Sequence, residues 1–457
     1  MADQTHRWIQ VQEPIKDMDP WAILHPLQVD GVRLMAWSAP HQKNCFVAAG
    51  VIREYRPTGD ARFYQARDWW NEIASNMLTI DVDGNPVVPK APGCLAGFAF
   101  SSRENRTEHW QAWGDGALCL PEVLVWRCDG QTWAVYTIDT NEHAMAERLP
   151  HLRTMLMDWK QRAVSTMAPP ANGTVMPLHS HEDAWETWKS NVQAAQATMA
   201  TGSIQKVVLA RAQAYRPDAT HSFDPLATAW ALRDRQIDST TFLIRRKDGQ
   251  AFLGSSPEIL ARLESGQVET VALAGTRRRS DTSTDDEALG TALLESTKDR
   301  HEQQLVAQAI EQALTSMVSN LEGSDTPDVV RHPDVQHLRT TIRGSVASDA
   351  TIFDLVNKLH PTPAVGGLPR EHALQWLDLN EHLDRGWYAG PIGWISPSGD
   401  GEFVVAIRSV LMADDQAAAF AGCGLVASSN PADEWEESQV KLQTVRQGLA
   451  YQAGIES

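Results

Sequence analysis

Cysteine is scarce in this chain. Five occur in 457 residues (Cys45, Cys94, Cys119, Cys128 and Cys423), an odd number with no pair at CxxC spacing. That argues against a disulfide framework and fits reduced thiols in a cytoplasmic compartment. Cys119 and Cys128 lie near strand-like stretches and read as core. Long apolar runs are missing: none approaches the roughly 20 residues of a membrane span. The opening MADQTHRWIQ lacks the basic and apolar segments of a signal peptide. Basic charge is in deficit, with 40 Lys and Arg against 58 Asp and Glu, a formal net charge of −18. Such a field repels phosphate at long range, so neither nucleic acid nor an anionic membrane is an expected partner; a small anion can still be held by local charge. Gly and Pro, 29 and 24, are too few for a fibrous or low-complexity chain. There is no Walker loop, no GxGxxG after a strand, no HExxH, no GxSxG and no Cys/His zinc spacing, which sets aside nucleotide binding and serine or zinc hydrolysis.

What is present is a globular composition, 42% hydrophobic and 21% charged, with 17 tryptophans, most of them before residue 190. Residues 1–165 alternate apolar runs with turn signals (CFVAAGVI, PGCLAGFAF, LPEVLVWRC, QTWAVYTI) and read as strands with few long helices. Residues 166–179, rich in Pro, Ser, Thr and Gly, read as a linker, and 180–457 as a second region with a stronger helical signal. Trp185, Trp188, Val192, Ala195 and Met199 form one apolar helical stripe, with Ser180 and Asp183 placed like a capping box. Further strands are expected at IQKVVLAR, TTFLIRR, AFLGSS, VETVAL, GWYAGPIGWI, EFVVAIRSVLM and AFAGCGLVA. Helices are expected at 286–318, 351–358, 370–378 and 432–451, and RRRSDTSTDDE as a mobile loop. Strands in consecutive groups indicate an α+β fold with large, mostly antiparallel sheets flanked by helices.

Several residues could carry chemistry. Asp299 and Glu302 are spaced i,i+3 with Glu295 a turn earlier, and Glu434 and Glu437 repeat the spacing with Lys441 beyond. On spacing alone these describe solvated helix faces; two such pairs brought together would clamp a hard cation such as Mg²⁺. Lys206 interrupts an apolar strand, where it is either a desolvated general base or an edge lysine turned to water. Glu258 follows a Gly-Ser-Ser-Pro turn; alone it is a loop glutamate. Gly422, Cys423 and Gly424 could cradle a carboxylate through backbone N–H groups, or form a plain turn. Arg408 sits in an apolar strand, where guanidinium usually meets a carboxylate. His337 and His360 are each more often structural than catalytic.

Taken together, IQKVVLAR, FLGSSPEIL, ALAGTRRR, STKDRHEQ, HLRTTIRG, LHPTPAVGGLP, WYAGPIGW, FVVAIRS and FAGCGLVASSNPADEWEESQVK resemble the chorismate-binding enzymes almost continuously over 180–450. The N-terminal third is more loosely similar to menaquinone-pathway isochorismate synthases. The resemblance implies a layered α+β fold with 180–457 as the chorismate-binding catalytic region, chorismate as substrate and Mg²⁺ as cofactor. It implies Lys206 as the base acting on water and Glu258 as the acid at the C4 oxygen. Mg²⁺ would sit on Glu302 and Glu437 with Glu434 and Asp299 close by. Arg408, Tyr388 and the N–H groups near Gly422, Cys423 and Gly424 would hold the pyruvyl carboxylate. Gly275 and Thr276 would line the ring pocket, His337 would face the ring carboxylate, and Lys441 would offset the acids. Lys206, and Ala274 where amine-forming relatives carry lysine, imply that water is the nucleophile and that no amidotransferase subunit is needed. Ala364 implies that the reaction stops at isochorismate, for menaquinone or a siderophore; the alternatives are a salicylate synthase or a non-catalytic chorismate-binding protein. Gln303 departs from the family, which usually has His there.

Overall fold

The computed structural model describes residues 6–450 except 40–42, 90, 165–174, 179–180, 218–221, 281 and 325. Two large sheets dominate. One has 13 strands and runs, neighbour to neighbour, from Val175–Pro177 through Lys206–Pro217, Gln416–Leu425, Ser409–Ala413, Ala251–Ser256 and Thr240–Arg245. It continues through Leu34–Ala39, Asn44–Ala49, Val123–Cys128, Gln131–Asp139 and Trp8–Ile15 to Met77–Ile80. The other has 10 strands and includes Val335–Val346, Gln267–Arg278, Ile259–Glu264, Gly401–Val405, Pro391–Ile395 and Cys94–Phe98. Among the described residues the only parallel pairing is Trp8–Ile15 with Met77–Ile80. One core lies between the sheets and takes Trp37, Phe46 and Phe252 from the first and Phe98 and Phe403 from the second. A second core lies on the other face of the larger sheet, under helices Met145–Val164 and Pro225–Arg235.

Both sheets draw strands from before residue 165 and after 174. The proposed linker lies mostly outside the described residues, and its described part, Val175–Pro177, is an edge strand on Lys206–Pro217. Ser180 and the Asp183 side chain are likewise outside them. The N-terminal part also holds two helices that strand-type alternation did not announce, Arg62–Ser75 and Met145–Val164.

Four local expectations change. The helix expected over 286–318 is two, Ser283–Glu295 and Thr297–Leu314. Ser296 breaks it because its hydroxyl accepts from the Asp299 N–H at 3.2 Å, capping the second helix. The mobile loop over 277–287 is largely regular: Gln267–Arg278 is a strand and Thr282 caps the helix from Ser283. The strand expected over 402–412 is two strands, one in each sheet, with Ala406–Arg408 between them. The Gly-rich turn at 422–424 is strand interior, with Gly422, Cys423 and Gly424 opposite Ala210, Leu209 and Val208.

Candidate active site

Two crossovers between the sheets build the site. Ala251–Ser256 in the larger sheet leads through Pro257 and Glu258 into Ile259–Glu264 in the smaller one. Gly401–Val405 makes the return trip through Ala406–Arg408 into Ser409–Ala413. The crossovers are bonded to each other: Val405 N donates to Glu258 O at 3.0 Å and Ser255 N to Arg408 O at 3.1 Å. The Tyr388 turn joins them, since Ala389 N donates to Ala406 O at 2.9 Å. Arg408 has a left-handed φ of 51°, the kind of local strain that functional sites store. A sheet-to-sheet crossover therefore places Glu258 and Arg408 at one point, where an unbroken strand would have put Arg408 on a sheet face.

Two capped helix N-termini supply the carboxylates. Asp299 and Glu302 lie in the opening turns of Thr297–Leu314, and Glu434 and Glu437 in those of Pro431–Leu449, where Asn430 caps by accepting from Ala432 N at 2.9 Å. Helix N-termini carry partial positive charge and favour acids there. One cavity is lined by Lys206, Glu258, Gly275, Thr276, Asp299, Glu302, His337, Ala364, Tyr388, Arg408, Gly422, Gly424, Glu434, Glu437 and Lys441. Among the residues expected at the site, Cys423 alone is off this wall. Strand alternation turns its side chain away from Gly422 and Gly424, and Sγ donates to Glu434 O at 3.2 Å. Glu295 is exposed and belongs to the preceding helix.

Burial and pairing set the charges. Glu258 is 2% exposed, and burial pushes its carboxyl up to about 7 despite the hydrogen bond that Thr362 Oγ1 donates to Oε1 at 3.1 Å. Lys206, 1% exposed, meets Glu302 Oε1 at 2.8 Å. It is thus a buried, paired lysine, neither an edge lysine turned to water nor an isolated one. Burial acts to raise the Glu302 carboxyl, but Lys206 outweighs it and holds the group below its ordinary value. Glu434 is pushed up to about 7 by burial and by the Glu437 charge, although Ser429 Oγ donates to it at 2.8 Å. Lys441 pairs with Glu437 at 2.7 Å and donates to Gly422 O at 2.9 Å. Lys441 thus meets Gly422 through its carbonyl.

His337 is engaged on both sides. Nδ1 is 3.0 Å from Gly275 O, and Arg408 Nη2 lies 3.2 Å from Nε2. These partners assign the neutral tautomer with hydrogen on Nδ1, and burial pushes the ring well below its ordinary value. His337 thus braces Arg408. His360 is structural: Nε2 is 2.9 Å from Phe100 O. Gly275 has φ 71° at the bulge between Ala274 and Thr276, and Gly424 leaves no room for a Cβ, which would sit 2.9 Å from Lys206 Cε and 3.0 Å from Glu302 Oε1.

Some residues of the site escaped sequence reasoning. Thr362 stands behind the wall in the HPTPAVGG run, where its bond to Glu258 carries no local signal. Lys298, 4.0 Å from Glu434, and Arg385 line the cavity. Gln303 does not line it: its Nε2 donates to Ala272 O at 3.0 Å and Thr340 Oγ1 at 3.1 Å, against the sheet. Its difference from histidine is therefore felt in the helix–sheet contact.

The donor set fits a hard divalent cation. Glu434 and Glu437 are close enough for each other's charge to raise one of them, and their carboxylate oxygens lie within 4.8 Å of one another. Glu302 and Asp299 add oxygens on the same wall.

The fold and wall define the class: an enzyme-like pocket between two mostly antiparallel sheets, pairing a buried lysine and a buried glutamate with a carboxylate cluster. The chain matches the family model described as chorismate binding enzyme over residues 1–450 and belongs to that family. It is 38% identical over 449 residues to the salicylate biosynthesis isochorismate synthase of Pseudomonas aeruginosa, spanning 96% of this chain and 90% of the relative. It is 31% identical over 452 residues to isochorismate synthase MenF of Bacillus subtilis, spanning 96% and 93%. Among solved structures, the menaquinone-specific isochorismate synthase MenF of Escherichia coli superposes with TM-score 0.76 at 27% identity, covering 97% of this chain and 94% of that one. Anthranilate synthase component I of Streptococcus pneumoniae shares the fold, with TM-score 0.69 at 17% identity over 88% and 92%.

Proposed function

We propose that this protein is an isochorismate synthase, converting chorismate to isochorismate by attack of water at C2 and loss of the C4 hydroxyl. The observation that carries it is the lining of one cavity by a buried amine, Lys206, and a buried acid, Glu258, whose carboxyl is pushed up to about 7. The names of relatives similar over nearly the whole chain support the same reading.

Lys206 first passes its ammonium proton to Glu302 across their 2.8 Å contact; the amine then takes a proton from water as the water oxygen attacks C2. Glu258 gives its proton to the departing C4 oxygen, so water enters, water leaves and the double bonds shift. General acid and base terms are each worth on the order of 10² to 10⁴ in rate. Arg408, braced by His337, and Tyr388 hold the pyruvyl carboxylate. Glu302 and Glu437, with Glu434 and Asp299 beside them, would hold Mg²⁺, which supplies charge neutralisation at the ring carboxylate. Water as nucleophile makes an amidotransferase partner unnecessary. The five free thiols support a reducing, cytoplasmic setting.

Ala364 supports release of isochorismate itself. It lines the cavity with a methyl group, which offers no hydrogen bond to hold the enolpyruvyl arm for pyruvate loss. Purified protein with chorismate and Mg²⁺, products resolved by chromatography, is expected to yield isochorismate without pyruvate, to stop in excess EDTA and to resume with added Mg²⁺. Pyruvate formed in step with chorismate loss would move the protein to the salicylate synthases, and turnover in excess EDTA would remove the metal.

A further inference from the structure

A second cavity, of about 470 Å³, lies beside the first where helix Arg62–Ser75 approaches helices Ile352–Leu359 and Arg370–Asn380. Four arginines line it, and they are not equally compensated. Arg385 pairs with Glu381 at 2.6 Å and Arg103 with Asp378 at 3.7 Å. Arg62 and Arg370 hydrogen-bond only to carbonyls, and the Arg62 guanidinium also lies 4.5 Å over the Phe63 ring. Arg62 Nη2 donates to Ala99 O and Phe100 O at 3.3 Å each, and Arg370 donates to Lys358 O at 3.1 Å and to His360 O. Among the described residues neither has a carboxylate at ion-pair distance. The remaining acid on the wall, Asp60, is exposed and accepts from Ser102 Oγ at 2.5 Å.

Arg62 is 5% exposed and its Nε has no partner; His360 is 1% exposed and its Nδ1 has none. Burial pushes the Arg62 guanidinium down to about 10, more than the Asp115 and Asp60 charges, neither of them at ion-pair distance, offset. Such a group is destabilising unless an anion meets it. The wall is also apolar: Phe63, Phe100 and Leu377 are all buried there. An inorganic anion would leave those surfaces unused, whereas an organic acid would satisfy both halves of the wall.

We propose that this cavity is a binding site for a small organic carboxylate with an apolar or aromatic body, its carboxylate placed between Arg62 and Arg370. The site is separate from the catalytic cavity, and Arg385, which lines both, stands between them. The segment His360–Val365 connects them in the chain and carries Thr362, the partner of Glu258.

Isothermal titration of the full chain with benzoate tests this, with benzamide and inorganic phosphate as controls. The catalytic cavity also holds carboxylate-binding groups, so the titration is repeated in Arg408→Gln. Benzoate is expected to bind that variant at one per chain, with neither control displacing it. Binding should weaken at least tenfold in Arg370→Gln, whose side chain is at the exposed rim, and vanish in Arg62→Gln. Circular dichroism confirms that each variant is folded; should Arg62→Gln fail to fold, Arg370→Gln alone decides. Absence of binding, its loss in Arg408→Gln, its survival unchanged in Arg370→Gln, or equal binding of benzamide would overturn the site. Displacement of benzoate by phosphate would overturn the organic body.

Discussion

At the residue scale, burial matters more than residue type. Glu258 is an ordinary loop glutamate in sequence, yet its enclosure keeps the carboxyl protonated to higher pH than a glutamate in water. Its folded value, about 7, exceeds the ordinary 4.5, so the protonated form required of the acid is depleted as pH rises through 7. The rate constant kcat is therefore expected to fall on that alkaline limb, and Glu258→Gln should abolish turnover. Thr362 donates to the carboxylate and favours its ionised form. Thr362→Val should move the limb to higher pH, read from the pH dependence of kcat; a limb that moves down or stays would reject the pair. Lys206→Ala should lower kcat by about 10² to 10⁴-fold. It also leaves Glu302 without its amine, so the melting temperature should fall while chorismate binding, measured by titration, persists. Retention of more than a few per cent of activity would exclude Lys206 as the base.

At the scale of elements, the site depends on where regular structure stops. Ser296 separates two helices that hydrophobic pattern reads as one, and the break places Asp299 and Glu302 at a helix start. Ser296→Ala should cost about 0.5–2 kcal/mol through loss of the cap, measured by denaturant titration. Strand geometry matters equally at Gly424. A methyl there would meet Lys206 Cε at 2.9 Å and Glu302 Oε1 at 3.0 Å, so the ion pair must move. Gly424→Ala is expected to lower kcat on the order of 10²-fold, the effect of misplacing a reacting group by about 1 Å. The backbone is extended at that position, so the melting temperature should change little; a kinetically silent Gly424→Ala would show that the pair tolerates displacement.

On the scale of the whole molecule, the two sheets are shared property of the N-terminal and C-terminal parts. Leu34–Ala39 pairs with Thr240–Arg245 in the larger sheet, and Cys94–Phe98 with Pro391–Ile395 in the smaller. A chain beginning at residue 175 would expose both edges and lose Trp37, Phe46 and Phe98 from the intersheet core. Such a fragment is expected to show no cooperative thermal transition by circular dichroism and to aggregate on size exclusion. A monomeric fragment with a sharp transition would instead make residues 180–450 an autonomous domain.

The sequence by itself determined the α+β class, most strands and the helices near 351–358, 370–378 and 432–451, because period-2 and period-3.6 patterns are local. Its motif order also determined the family, since the matching strings span most of 180–450. Tertiary structure alone decided where strands change sheets. Nothing in FVVAIRS marks Ala406–Arg408 as a crossover, because an apolar run looks the same whether it stays in one sheet or bridges two. It decided that Cys423 faces away, since alternation cannot say which face of a strand meets a cavity. It decided that Lys206 has a partner 96 residues distant, that Thr362 holds Glu258, and that Gln303 bonds to the sheet. Those facts depend on burial and on contacts between residues far apart in the chain, and neither is carried by local spacing.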